Sequence, residues 1–143
     1  MDRKLDSIAN IEEELKSLQE IFEIFENPKD KFLQLMDMAK DKKLFEEKDK
    51  IELNRIYGCS SQAWLVIKKH DNNTYSFRTD SDALIVKGLL MILEKIFHNQ
   101  TAKDILSVDS EYILKAIGLQ GSISSQRNNG FSSAVDKIHS LLK

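Results

Sequence analysis

Between positions 3 and 26 apolar residues recur at steps of three and four: Leu5, Ile8, Ile11, Leu15, Leu18, Phe22 and Phe25. That spacing puts them on one stripe of a helix, which is expected to pack on the body of the domain, with a partner helix as the alternative. Asn27-Pro28-Lys29-Asp30 then stops one helix and starts another, since Asn suits the N-cap, Pro the first helical position and Asp the first turn. The second helix is expected to run to about Lys40, with Phe32, Leu33, Leu35, Met36 and Ala39 facing inward. The mixed-charge stretch KDKKLFEEKDKIEL reads as a solvated connection tacked down by Leu44 and Phe45.

The pattern then shortens. SQAWLVIKK and TYSFRTD are rich in aromatic and β-branched residues, and HDNN between them supplies turn residues, which predicts a hairpin. A third short strand is expected near Asn54 to Tyr57. In the first strand Trp64 and Val66 share one face, and Ala63, Leu65 and Ile67 the other. A strand apolar on both faces is expected to be central and covered on both sides. In the second, Tyr75 and Phe77 point to one face.

Helical spacing returns in TDSDALIVKGLLMILEKIFHN, with cap-type Asp80 and Ser81 at its start. This segment is apolar around most of its circumference, as suits a helix buried in the core. Thr101 and Asp104 resemble a capping box opening a short helix. Asp109 to Ile117 makes another, ended by Gly118. GSISSQRNNG reads as a polar loop, followed by a final helix with the stripe Phe131, Ala134, Val135, Ile138, Leu141 and Leu142. Helices, hairpin, helices is the order of an α+β domain with a small antiparallel sheet of about three strands, packed with helices from both ends of the chain. A length of 143 residues fits one domain, 1–143, with an N-terminal helical extension expected over residues 1–12.

Composition narrows the function classes. Charged residues make up 31% and the formal charge is −2, so no basic excess is available to neutralise phosphates or hold a membrane surface. Nucleic acid and membrane are therefore not expected partners. The most apolar segment is interrupted by Lys87, Glu94 and Lys95 and is too short to span a bilayer. The N-terminus carries acids throughout and has no apolar core of a secretory signal. A single cysteine, Cys59, makes no internal disulfide and does not by itself hold zinc or an iron–sulfur cluster. A reducing compartment follows, with the cytoplasm expected and an organelle form without its transit peptide as the alternative. Neither cofactor nor metal is expected.

Cys59 is either a small buried hydrophobe or a working thiol. Gly58 before it suits a sharp turn. Ser60 and Ser61 after it are polar groups that a fully buried position would have to satisfy. The apolar strand starts only beyond them. The thiol therefore belongs to a loop anchored at the mouth of the core, where chemistry often resides. Gly58 leaves the upstream end of that loop as a hinge. His70, His98 and His139 share no periodic face, so neither a base nor a metal role is assigned to them.

YGCSSQAWL resembles the Gly-Cys-x-Ser-x-[Ala/Val]-Trp motif of the SufE family of sulfur-acceptor proteins. DSDALIVKGL is similar to that family's second signature, at the start of its long central helix. SSQRNNGF is similar to the third, a serine- and arginine-containing loop ending in glycine and a bulky apolar residue. The three stand in family order and the resemblance runs from about residue 15 to the end. Tyr57 departs from the small residue or proline frequent there, and Phe131 from the usual leucine. The resemblance implies a SufE/NifU-like α+β fold and a sulfur carrier rather than an independent enzyme. Cys59 would accept persulfide sulfur from a pyridoxal-phosphate-dependent cysteine desulfurase of SufS or CsdA type. It would then deliver that sulfur to an iron–sulfur scaffold complex. Arg127 would favour the thiolate or persulfide anion, or dock on the desulfurase; otherwise it is a solvated loop arginine. Asp82 would support the Cys59 loop or serve as an ordinary helix-start aspartate, and Asn54 would tie the loop down. Trp64 is assigned to the core, and Gln62 is left unassigned. The alternatives are a cluster scaffold of IscU/NifU type, which needs more cysteines than one, and a non-covalent desulfurase adaptor.

Overall fold

Asn10 opens the first helix, α1 (Ile11–Phe22), with a reciprocal capping box. Its side chain accepts from the Glu13 N–H at 2.9 Å while its own N–H donates to the Glu13 carboxylate at 3.0 Å. The computed structural model describes residues 10–40, 45–58 and 61–143. Leu5, Ile8, Leu44 and most of the expected N-terminal extension therefore lie outside the described residues. Ile11, Leu15, Leu18 and Phe22 are buried, as the stripe requires, and Phe25 is half-buried beyond the helix end.

Helix α2 (Pro28–Lys40) starts where Asn27 Oδ1 accepts from the Lys29 N–H at 2.8 Å. Leu35 and Ala39 are buried, and Phe32 and Met36 pack against the core. Leu33, expected inward, is half exposed. The buried stripe is carried by 32, 35, 36 and 39, and position 33 falls just outside it.

Helix α3 (Leu84–Phe97) is the centre of the core, with nine buried residues from Ile85 to Phe97. Each fully buried Leu, Ile or Phe contributes about 1.5–3 kcal/mol of transfer free energy. Helix α2 crosses α3 at Gly88, where a Cβ would stand 2.3 Å from the Leu35 carbonyl oxygen. Only glycine permits that backbone approach. Asp80 and Ser81, expected at the cap, instead end a strand. The N-cap position is Ala83, whose N–H donates to Ser81 Oγ at 3.2 Å.

The sheet is antiparallel in the order β1 (Ala63–Lys69), β2 (Thr74–Ser81), β3 (Gln100–Thr101). Two expectations are corrected here. The third strand lies after α3, not near Asn54–Tyr57, where Arg55 makes only an isolated bridge to Trp64. Two residues leave no periodic trace in a sequence. Asn99, at φ 58°, turns the chain from α3 into β3 and its N–H donates to the Tyr75 carbonyl at 2.8 Å. The central strand is β2, and β1 lies at the edge. Where β3 has already ended, the Glu94 carboxylate accepts from the Thr79 N–H at 2.7 Å and its hydroxyl at 2.5 Å, so helix α3 closes the open edge of β2.

Strand β1 is apolar on both faces because both are covered, by different means. Ala63, Leu65 and Phe77 face the helices. Trp64, Arg78 and Asp80 face segment 45–54, which holds two 3₁₀ turns at Glu47–Asp49 and Glu52–Asn54. Lys50 Nζ lies 5.2 Å from the Trp64 ring and 3.4 Å from Asp80. Arg78 pairs with Asp49 at 3.2 Å and stands over the Phe45 ring. The connection read as solvated is thus a strap across the sheet, with Phe45 buried beneath it.

After β3 come α4 (Ala102–Leu106), capped by Thr101, and α5 (Ser110–Ala116), capped by Asp109. The chain leaves α5 through Gly118 at φ 82°. The last helix, α6 (Ser125–Leu142), starts earlier than expected and absorbs the QRNNG of the polar loop. Ser124 caps it, its Oγ accepting from the Arg127 N–H at 3.2 Å. Polar residues fill the solvent-facing first turn, so apolar periodicity begins only at Gly130 and Phe131, which are buried. Ala134, Val135 and Ile138 continue the buried stripe, whereas Leu141 is half exposed at the frayed end.

Candidate functional site

The segment that joins the strap to β1 across positions 57–62 is closed at its base. The Ile56 N–H donates to the Ala63 carbonyl at 2.8 Å, and Arg55 bridges Trp64 one step further out. Cys59 and Ser60 lie outside the described residues, so the site is defined by what frames them.

The downstream side is tied to the end of β2. The Gln62 N–H donates to Asp82 Oδ1 at 3.1 Å, the Asp82 N–H donates to the Gln62 carbonyl at 3.1 Å, and Ser81 Oγ donates to that carbonyl at 2.8 Å. Asp82 therefore engages the turn itself and is not the N-cap of α3. The upstream side rests on α6. Gly58 has φ 92°, and a Cβ there would lie 2.3 Å from Ser133 Oγ. Both the dihedral and the space demand glycine. The sequence suggested a hinge at this position; the structure seats it against a helix.

Arg127 is half-buried in the first turn of α6, not in a loop. Its side chain lines a small cavity with Ile56 and Ala63 from the base of the turn, Val86 and Leu90 from α3 and Gly130 from α6. The cavity volume, about 10 Å³, leaves room for one water at most. It is packing space beneath the turn rather than a small-molecule site.

On the outer face, Asp80 lies across from Trp64 and pairs with Lys87 at 3.3 Å as well as Lys50. Burial works to raise the Asp80 carboxyl, but the Ser81 N–H and the two ammonium groups outweigh it and hold the carboxyl below its ordinary value. Lys50 is pushed up, chiefly by its hydrogen bond to Glu47 and, against its partial burial, by Asp80.

Among the other residues singled out, Trp64 is buried. Asn54 Nδ2 donates to the Asp49 carbonyl at 2.9 Å, so it joins the two turns of the strap and not the 57–62 turn. His70 precedes the hairpin turn, His98 follows α3, and His139 stands on α6 with Nε2 3.0 Å from the Ile105 carbonyl. The three do not converge. No group of three His, Cys, Asp or Glu among the described residues is arranged to hold a metal ion. No described helix is long and apolar enough to cross a membrane. Sequence reasoning missed Ser133 and the Lys50–Asp80–Lys87 cluster. The small residues Gly130, Ser133 and Ala134 at helical spacing were the available signal for a backbone resting on α6. The ionic cluster left none.

Chemically, the frame consists of Gln62 tied to Asp82, Gly58 seated on α6, and Arg127 beside Ile56 and Ala63 at the base. The SufE family, described as an Fe-S metabolism associated domain, matches residues 16–142. An uncharacterized SufE-like protein of Rhizobium etli is 33% identical over 135 residues, which covers 90% of this chain and 91% of that protein. The solution structure of a hypothetical protein from Thermus thermophilus is similar in fold, with a TM-score of 0.72 at 16% identity over 90% of this chain and 93% of that one. With the match running through the turn, Asp82 and Arg127 alike, the chain belongs to the SufE family.

Proposed function

We propose that this protein is a covalent sulfur carrier in which Cys59 accepts sulfur from the persulfide of a pyridoxal-phosphate-dependent cysteine desulfurase. Family membership supports a role in iron–sulfur metabolism with sulfur drawn from a desulfurase. The observation that supports the finer reading is that Asp82 bonds Gln62, three residues after Cys59, while Arg127 lines a cavity with Ile56 and Ala63 at the base of the same segment. In the transfer the Cys59 thiolate attacks the outer sulfur of the desulfurase persulfide. A new S–S bond forms to Cys59, the bond to the desulfurase cysteine breaks, and that cysteine leaves as a thiolate. No net oxidation or reduction occurs. Asp82 fixes the downstream limb of the turn. Arg127 supplies positive charge beneath it, which favours the thiolate or persulfide anion, or contacts the desulfurase.

In this reading the protein turns over nothing by itself. It clears sulfur from the desulfurase, raises that enzyme's rate and passes the cargo to an iron–sulfur scaffold complex in the cytoplasm. The test is alanine release from free cysteine by a SufS-type desulfurase. The wild-type protein should raise the rate and Cys59→Ser should not. Equal stimulation by Cys59→Ser would replace the carrier with a non-covalent adaptor.

A further inference from the structure

Tyr57 precedes Cys59 by two residues. Its Cα therefore lies within about 7 Å of the Cys59 Cα whatever path the turn takes, because an extended chain advances no more than about 3.6 Å per residue. The Tyr57 residue is 61% exposed. It is also preset. The Tyr57 hydroxyl donates to the Glu52 carboxylate, and the Arg55 guanidinium stands 5.6 Å from the ring centroid. Leu53, next to Glu52, is 80% exposed, and its carbonyl accepts from Lys137 Nζ at 3.2 Å, which fixes this part of the strap to α6.

Resting on the carrier reading above, we propose that Tyr57 is a contact residue for the desulfurase, covered by that enzyme whenever its persulfide reaches Cys59. Sulfur exchange needs the attacking and donor sulfurs at bonding approach. A protein that brings its own cysteine so close must close over the surface around Cys59, and an exposed ring this near falls within that footprint. Tyrosine is also a residue type that carries binding energy when a partner covers it. Both of its χ angles are already restrained by Glu52 and Arg55, so little side-chain freedom is lost on association.

The experiment is the Kd of the Cys59→Ser protein for a SufS-type cysteine desulfurase, alone and combined with Tyr57→Ala or Tyr57→Phe. Circular dichroism checks that each variant is folded. The Ala variant should bind at least about tenfold more weakly, and the Phe variant within about threefold of its parent. With Cys59 intact, Tyr57→Ala should raise the KM for the acceptor and leave the limiting rate of sulfur loading unchanged. Iodoacetamide should alkylate Cys59 at the wild-type rate in that variant. Altered alkylation would show that Tyr57 acts on the thiol and would overturn the inference. Binding of the Ala variant within about twofold of its parent would also overturn it and leave the carrier reading standing. If the wild-type protein neither bound the desulfurase nor took up sulfur, both would fall.

Discussion

The two faces of the β1–β2 hairpin are covered by opposite kinds of chemistry. On the inner face Ala63, Leu65 and Phe77 join the buried apolar core that includes α3. On the outer face Trp64, Arg78 and Asp80 meet a charged strap through ion pairs and cation–π contacts. The inner face depends on area removed from water and holds no charges for salt to screen. The outer face depends on partly exposed charges, which salt and pH weaken. The 57–62 turn is where the strap feeds into β1. Its downstream limb is tied by hydrogen bonds to the end of β2, and its upstream limb rests on α6 at Gly58.

The largest expected effect comes from the inner face. Leu65→Ala should cost about 2–5 kcal/mol in urea unfolding, since the side chain is 1% exposed, and the loss should be the same at low and high salt. A cost below about 1 kcal/mol would mean that the inner face does not anchor β1. Gly58 tests the seam with α6. Gly58→Ala should cost about 1–3 kcal/mol, from the positive φ and the contact with Ser133 together. Adding Ser133→Ala should recover the contact and leave the dihedral strain. If the double variant recovers nothing, the Ser133 contact is not what excludes a side chain there.

The smallest effect belongs to the outer face. Asp80→Asn should cost about 1 kcal/mol, and high salt should shrink the difference from wild type. The pH dependence has a definite sign. The folded Asp80 carboxyl lies below its ordinary value of 3.8, so its contribution is fully present above that value. It is lost as pH falls through the lower folded value. Lys50, raised above 10.5, contributes fully below that value and loses its contribution as pH rises through the folded one. The wild-type advantage over Asp80→Asn should therefore vanish at acid pH. An advantage that persisted there would assign Asp80 a role other than ion pairing.

Much of the fold was legible because local rules act within a few residues. Asn27 before Pro28, Thr101 with Asp104 and Gly118 all stand where capping chemistry predicts, whereas the Asn10–Glu13 cap falls inside the stripe read across 3–26. One source of error is contact between distant segments. Trp64 and Val66 look like the second face of a central strand until Lys50 and Asp80, far apart in the chain, meet on the outer side. The start of α6 was hidden because its first turn faces water and needs no apolar spacing. At the site, Gly58, Asp82 and Arg127 could be picked from the motifs, and the bond from Gln62 to Asp82 gives one of them a physical task. Ser133 left only the small-residue spacing with Gly130 and Ala134 as a signal, since its importance comes from what a side chain on Gly58 would strike.

The central claim is that Cys59 carries the transferred sulfur. Intact mass spectrometry after incubation with a cysteine desulfurase and free cysteine tests it most directly. The wild-type chain should gain the mass of one or more sulfur atoms, reductant should remove the gain, and Cys59→Ser should never show it. A persulfide-sized adduct on the serine variant, or none on the wild type beside an active desulfurase, would contradict the account.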